Sequence, residues 1–152
     1  MKVEERIAEL GLTLPSAPKP MANYVTARRH GSLLFFSGAG PFEDGKPCVF
    51  GRVGDELTKE EGYAAARIAG LNLISQLKNE VKDLDKIRII KVQAFVASAP
   101  DFEDQPAVMN GVSDLFVEVF GEAGKHARTA VAAPQLPFGI PVEVEMIVEI
   151  ME

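Results

Sequence analysis

Residues 142–150 alternate in polarity. Val142, Val144, Met146, Val148 and Ile150 fall on one side of an extended chain; Glu143, Glu145, Ile147 and Glu149 fall on the other. A period of two predicts a strand over Ile140 to Ile150 with one face against a core and one face carrying carboxylates. Ile87 to Ala97, rich in Ile and Val, and Ala127 to Ala133 predict two further strands. Tyr24 to Arg29 and Ser32 to Ser37 read as a hairpin turning at His30-Gly31, its second strand carrying Leu33, Leu34, Phe35 and Phe36. Elsewhere the period is helical. Thr58 and Glu61 form a capping-box pair that opens a helix to about Val81, with Ala66, Ala69, Leu73 and Leu77 on one stripe. From about Asp104 to Phe120, Val108, Val112, Leu115, Phe116, Val119 and Phe120 mark another apolar stripe, and Gly121 ends it.

Ahead of these lie a short helix over Val3 to Leu10, stopped by Gly11, and the proline-spaced connector Leu14 to Pro20. Glu43-Asp44-Gly45-Lys46 reads as a turn, and Gly51 to Asp55 as a glycine-containing loop. The order is β-β-α-β-α-β-β after a short N-terminal helix. This predicts an α+β fold: a mixed sheet with two long helices packed on one face. Residues 1–152 are expected to form a single domain, with the helix and connector over 1–21 and the core over 22–152. The other sheet face, half apolar and uncovered, asks for burial between subunits.

The last quarter, Arg128-Thr129-Ala130-Val131, Leu136-Pro137 and Val142-Glu143-Val144-Glu145, reads as two strands joined by a proline-bounded turn. A hairpin closing symmetrically at 135/136 sets Arg128 opposite Glu143, and a longer loop sets it opposite Glu145. A guanidinium grips a small carboxylate through two parallel hydrogen bonds, and a neighbouring Glu can hold a water. The plainer alternative is a structural ion pair across the hairpin.

The net charge of -6 and the scattered basic residues, clustered only at Arg28-Arg29-His30, argue against a phosphate-backbone partner. The single Cys48 leaves no intrachain disulfide and no zinc-type spacing, and His30 and His126 lie far apart, so neither a metal nor a cofactor is expected. No apolar run is long enough for a membrane span, and the N-terminal segment is amphipathic and charged, so the expectation is a cytoplasmic enzyme or binding protein.

On Tyr24, Ser37-Gly38, Asn110, Arg128-Thr129-Ala130-Val131, Leu136-Pro137 and Val142-Glu143-Val144-Glu145, the sequence resembles the reactive intermediate deaminase family. This is the YjgF-like or RidA family, also labelled "endoribonuclease L-PSP". The likeness runs from about Ala22 to Ile150, and the offset of 15 residues from Arg128 to Glu143 fits it. The resemblance implies a chorismate-mutase-like fold, a homotrimer and a small-molecule cleft between neighbouring subunits. It also implies cofactor-free hydrolysis of enamine/imine intermediates, such as 2-aminoacrylate, to 2-keto acids and ammonia.

In that reading Arg128 clamps the substrate carboxylate and Glu143 orients the attacking water. Tyr24 walls the cleft, backbone amides near Ser37, Gly38 and Ala130 approach the substrate, and Asn110 hydrogen-bonds nearby. Tyr24 as a packing residue, Ser37-Gly38 as a plain turn and Asn110 as a structural polar group are the alternatives. Three features depart from the pattern: Ala130 stands where a cysteine is often found, the N-terminal extension is longer, and so is the segment over Ser98 to Val108. Two rival functions stand beside the deaminase: a trimeric binder of small keto or amino acids, and a ribonuclease, which the acidic charge disfavours.

Overall fold

In the computed structural model, which describes residues 2–17 and 19–152, three helices and five strands follow the predicted order, and two short strands outside that prediction flank the turn at 44–45. Met1 and Pro18, the latter part of the proline-spaced connector, lie outside the described residues. Helix α1 spans Val3–Glu9, strands β1 and β2 span Ala27–His30 and Leu33–Phe36, and the two-residue strands β3 (Phe42–Glu43) and β4 (Lys46–Pro47) flank the predicted turn. Asp44 and Gly45 close that turn with φ of 51° and 75°, a left-handed pair that suits a tight hairpin. Helix α2 (Lys59–Glu80), strand β5 (Ile87–Ala97), helix α3 (Gln105–Phe120) and strands β6 (Ala127–Ala133) and β7 (Val142–Ile150) complete the chain.

The capping box at the start of α2 is formed in both directions: Glu61 N–H donates to Thr58 Oγ1 and Thr58 N–H to Glu61 Oε1, each at 3.1 Å. The predicted stripes of α2 and α3 face the sheet, and Ala66, Ala69, Leu73 and Leu77 are fully buried with Val108, Val112, Leu115 and Phe116. Gly111 lets the two helices touch, because a Cβ there would run into the Tyr63 carbonyl of α2. The short α1 docks on α3 through buried Ile7 and through Arg6 Nε, which donates to Glu118 O at 2.9 Å.

The main sheet has the order β1-β2-β7-β5-β6, and the expected β6–β7 hairpin is not formed. β5 lies between them, parallel to β6 and antiparallel to β7. Two features account for this. β5 buries Ile87, Ile89, Val92, Ala94 and Val96 and takes a neighbour on each edge, while α3 supplies the long crossover that a parallel pair requires. The link from β6 to β7 is no hairpin turn either. It makes a 3-10 turn over Pro137–Gly139 and then passes the end of β5, where Ala97 N–H donates to Pro141 O at 2.8 Å.

This order changes which face each site residue occupies. Arg128 shares a cross-strand row with Val92 and Met146, both buried beneath the helices. Glu143 shares a row with Phe95 and Val131, on the open side. Residues in one row point the same way. Arg128 and Glu143 therefore lie on opposite faces of the sheet, and the expectation that Arg128 would sit among carboxylates of a facing strand is corrected.

Candidate active site

Beyond the end of β2, the segment Ser37-Gly38-Ala39-Gly40 runs on beside β7. Ala39 N–H donates to Val144 O at 2.8 Å, and Val144 N–H returns to Ala39 O at 2.9 Å. Between this segment, the end of the N-terminal connector and the β6–β7 link lies a cavity of about 280 Å³. Four of the predicted site residues line it: Tyr24, Ser37, Gly38 and Glu143. The cavity depends on Gly38, since a Cβ there would stand 2.6 Å from Glu143 Oε1. Ser37 contributes less than expected. Its hydroxyl donates to Val25 O at 2.6 Å and its N–H to Thr26 O at 2.9 Å, so both donors are already used. Opposite stands Phe138, whose φ of 63° is unusual for a bulky residue and whose ring meets Phe42 edge-on at 6.1 Å.

Burial raises the Glu143 carboxyl above its ordinary value of 4.5, and the nearby Glu145 charge raises it further. A carboxylate that holds its proton more readily is better matched to exchanging protons with water near neutral pH. Glu145 itself lies against Phe35, Lys91 and Gln93, away from the cavity. Of the two candidate carboxylates, Glu143 is the one in the cavity.

Arg128, Asn110 and Ala130 are not brought to this cavity. Arg128 Nη1 donates to Asn110 Oδ1 at 2.9 Å and to Ser113 Oγ at 3.1 Å, both on α3. The Asn110 and Ser113 bonds thus stand where the alternative reading had an ion pair to Glu143 or Glu145. Ala130 sits in a row with Ala94 and Val144, on the helix side of the edge strand. This second cluster holds two residues that sequence reasoning missed. His126 Nδ1 lies 2.6 Å from Gly124 O and its Nε2 lies 2.9 Å from Ser113 Oγ. With Nδ1–H donating to the carbonyl, Nε2 accepts from Ser113, and the serine oxygen faces Arg128. Burial lowers the His126 pKa below 6.5, a backbone bond to Gly124 opposes that, and the Arg128 charge adds to the lowering. No sequence spacing announces this arrangement, because β6 and α3 meet only in the folded chain.

The cavity also contains Asn72 and Gln76 of α2. These are polar residues one turn apart beside an apolar stripe, a pattern that could have flagged them. Asn72 Nδ2 donates to Gly40 O at 3.1 Å and Phe42 O at 3.0 Å, fixing the loop after β2. Among the described residues, none of the longer N-terminal segment, Met1 to about Ala17, lines the cavity; Lys19, Pro20 and Met21, just after it, do. The Ser98–Val108 segment packs elsewhere: Ala99 N–H bonds Val53 O at 2.9 Å, and Phe102 lies against Gly54. Cys48 is exposed, its Sγ lies 3.1 Å from Pro41 O, and partial desolvation and the Glu43 charge raise its thiol pKa, which disfavours a thiolate nucleophile. Among the described residues, no group of three or more His, Cys, Asp or Glu side chains could hold a metal ion, and no helix is long and apolar enough to cross a membrane.

Residues 4–150 match the model of a family described as "YjgF/chorismate_mutase-like, putative endoribonuclease". The chain belongs to the YjgF/RidA family. Its fold is accordingly that family's chorismate-mutase-like α+β fold. The chain is 44% identical to Protein TCP17 of Trypanosoma cruzi, over 98% of this chain and 94% of that one. The crystal structure of Atu1372 from Agrobacterium tumefaciens, described as of unknown function, superposes with a TM-score of 0.91 at 45% identity, covering 97% of this chain and 92% of that one. A "putative endoribonuclease" from Shewanella oneidensis MR-1 gives a TM-score of 0.95 at 34% identity, covering 99% and 100%. The resemblance carried by Arg128, Leu136-Pro137 and Glu143 thus extends through the whole YjgF/RidA-like architecture.

Proposed function

We propose that the protein is a cofactor-free enamine/imine deaminase that converts 2-aminoacrylate-type intermediates to 2-keto acids and ammonia. The observation that carries this reading is Glu143: a half-buried carboxylate with a raised pKa, seated against Gly38 in a cavity walled by Tyr24. An imine tautomer presents an electrophilic carbon next to a carboxylate. Water adds to that carbon while Glu143 takes a proton from it. Glu143 passes that proton to the imine nitrogen, giving the carbinolamine, then takes the hydroxyl proton and delivers it to the amine, which leaves as ammonia as the carbonyl of the keto acid forms. No electrons are exchanged, so the residues needed are a clamp, a proton carrier and a desolvated cavity.

The clamp is Arg128, supplied by a neighbouring copy of the chain. Within one chain Arg128 and Glu143 occupy opposite sheet faces, and the open face carries exposed Phe35 and Val131. An apolar sheet face of this kind supports packing against further copies, which the family resemblance sets at three. Asn110 and Ser113 hold one nitrogen of Arg128, leaving the rest of the guanidinium fork for a carboxylate.

The test generates 2-aminoacrylate in situ with a serine dehydratase and follows pyruvate formation against competing semicarbazide. Wild-type protein should accelerate pyruvate release and Arg128→Ala should not. Binding of keto acids without any acceleration would replace the deaminase with a metabolite-binding protein.

A further inference from the structure

Phe138, in the link from β6 to β7, has a backbone that an aromatic residue seldom takes. Its φ is 63° and its ψ 12°, and Gly139 follows at φ 70°. Glycine reaches this left-handed region freely, whereas a Cβ crowds the backbone there. Burial does not offset the cost, because Phe138 is 55% exposed. The conformation is nevertheless held on both sides: Gly139 N–H donates to Leu136 O at 3.2 Å, and Gly51 N–H donates to Gly139 O at 3.0 Å. What the strained turn achieves is the placement of the ring. Phe138 lines the cavity that holds Glu143, and it also lines a second, more open hollow of about 710 Å³ with Phe50, Arg52 and Leu136. Only Phe138 and Ile140 belong to both. The Phe138 ring rests edge-on against Phe42, centroids 6.1 Å apart, and Phe42 is tied to α2 by the bond from Asn72 to its carbonyl. Strain that the surroundings impose on an exposed residue points to a task for its side chain. Here the side chain stands, braced, where two hollows meet.

We infer that Phe138 is a specificity-determining residue: its ring divides the Glu143 cavity from the second hollow and so limits the length of side chain that a bound acid can carry. This rests on the deaminase reading for the reacting end of the acid, and adds what stops its other end. With the reacting carbon at Glu143, a short side chain stays within the cavity. A long one that leaves toward the β6–β7 link meets the ring. The ring yields poorly, because Phe42 backs it and the Gly139 hydrogen bonds fix the backbone that carries it. A wall of this kind selects by clash rather than by attraction. Removing the ring joins the two spaces and opens the apolar surface of Phe50 and Leu136 to the added methylenes, each of which then gains from leaving water.

The test uses stable keto acids, so that it does not depend on turnover. Binding of pyruvate and of the linear 2-oxooctanoate is measured by calorimetry for wild type, Phe138→Ala and Phe138→Gly, with the oligomeric mass of each recorded by light scattering. Both variants should improve the affinity for the long acid relative to pyruvate by about tenfold or more. Phe138→Gly should also melt roughly 2–4 °C above Phe138→Ala, since both lack the ring and only glycine takes this φ without strain. A ratio unmoved in both variants overturns the inference, and so does an equal loss of both acids or a change of oligomeric mass with the ratio unmoved. Equal melting of the two variants overturns it as well, by removing the strain. The pyruvate-release assay is run alongside. Acceleration there with an unmoved length ratio sinks the Phe138 assignment alone, and a ratio that depends on Phe138 without acceleration sinks the deaminase reading alone.

Discussion

Gly38 and Glu143 are mutually dependent: the carboxylate occupies the space that any side chain at position 38 would take. An added Cβ would stand 2.6 Å from Oε1 and 3.1 Å from Cδ of Glu143. The obstruction is the end of a flexible side chain, so it can be relieved by rotating the carboxylate away. Gly38→Ala should therefore fold with a stability change within about 1 kcal/mol and still lose roughly ten- to a hundredfold in kcat/KM. Urea unfolding and the pyruvate-release assay measure the two halves. Equal losses in stability and turnover would show that Gly38 serves only the backbone.

Glu143 should trade stability for activity. Burial and the Glu145 charge raise its folded pKa above 4.5, so the folded state binds that proton more tightly than the unfolded chain does. Its contribution to stability is full below about 4.5 and is lost as pH rises through the folded pKa. At pH 7 the ionised carboxylate is a liability that a neutral isostere removes. Glu143→Gln should melt higher than wild type at pH 7, match it near pH 4, and lose most of its turnover. Melting curves at the two pH values decide the matter, and a variant that melts lower at pH 7 would contradict this account.

Arg128→Ala and Glu143→Gln should each be inactive alone and should recover activity when mixed. If each site takes Arg128 from one copy and Glu143 from its neighbour around a trimer, every mixed trimer holds both intact groups in about one third of its sites. Co-expression with two affinity tags, followed by assay of the doubly tagged fraction, provides the measurement. No recovery in mixed oligomers would remove Arg128 from the Glu143 site, since one chain holds the two groups on opposite faces of the sheet.

His126 gives an opposite pH signature. Its folded pKa is lowered chiefly by burial, so the unfolded chain takes up the proton first. The stability it confers is present above about 6.5 and is lost as pH falls through the folded pKa. Protonation would also turn Nε2 from acceptor to donor and disturb the Ser113 hydroxyl that faces Arg128. Wild type should lose stability between pH 7 and 5.5, and His126→Gln should lose less. Ser113→Ala should raise KM more than it lowers kcat, because it loosens the clamp without touching the proton carrier. Steady-state kinetics showing the reverse split would remove Ser113 from the positioning of Arg128.

Much of the chain was legible without coordinates. Secondary structure here follows local periodicity, and the burial of Val142, Val144, Met146 and Val148 against half-exposed Glu143 and Glu145 repeats the period-two pattern residue by residue. The Thr58–Glu61 cap and the stops at Gly11 and Gly121 depend on neighbours a few positions away, as does the β1–β2 turn, which falls at Gly31-Ser32, one residue beyond the expected His30-Gly31. The pairing of strands does not. Whether β6 meets β7 or β5 is decided by the energy of burying β5 on both edges and by the reach of the α3 crossover, neither of which has a local signature.

From that pairing everything about the site follows. The sequence determined that Arg128 and Glu143 sit on strands and that the chain resembles the YjgF/RidA family, whereas Tyr24, expected to start its strand, lies ahead of β1, which begins at Ala27. Only the tertiary structure decided that Tyr24, Gly38 and Glu143 share one cavity, while Arg128 turns to Asn110 and Ser113 on the opposite face. Only it left the Gln76 oxygen buried and unpaired. Side-chain direction along a strand is fixed by the pleat, but which neighbours that direction meets depends on sheet order, a long-range choice made by the whole core.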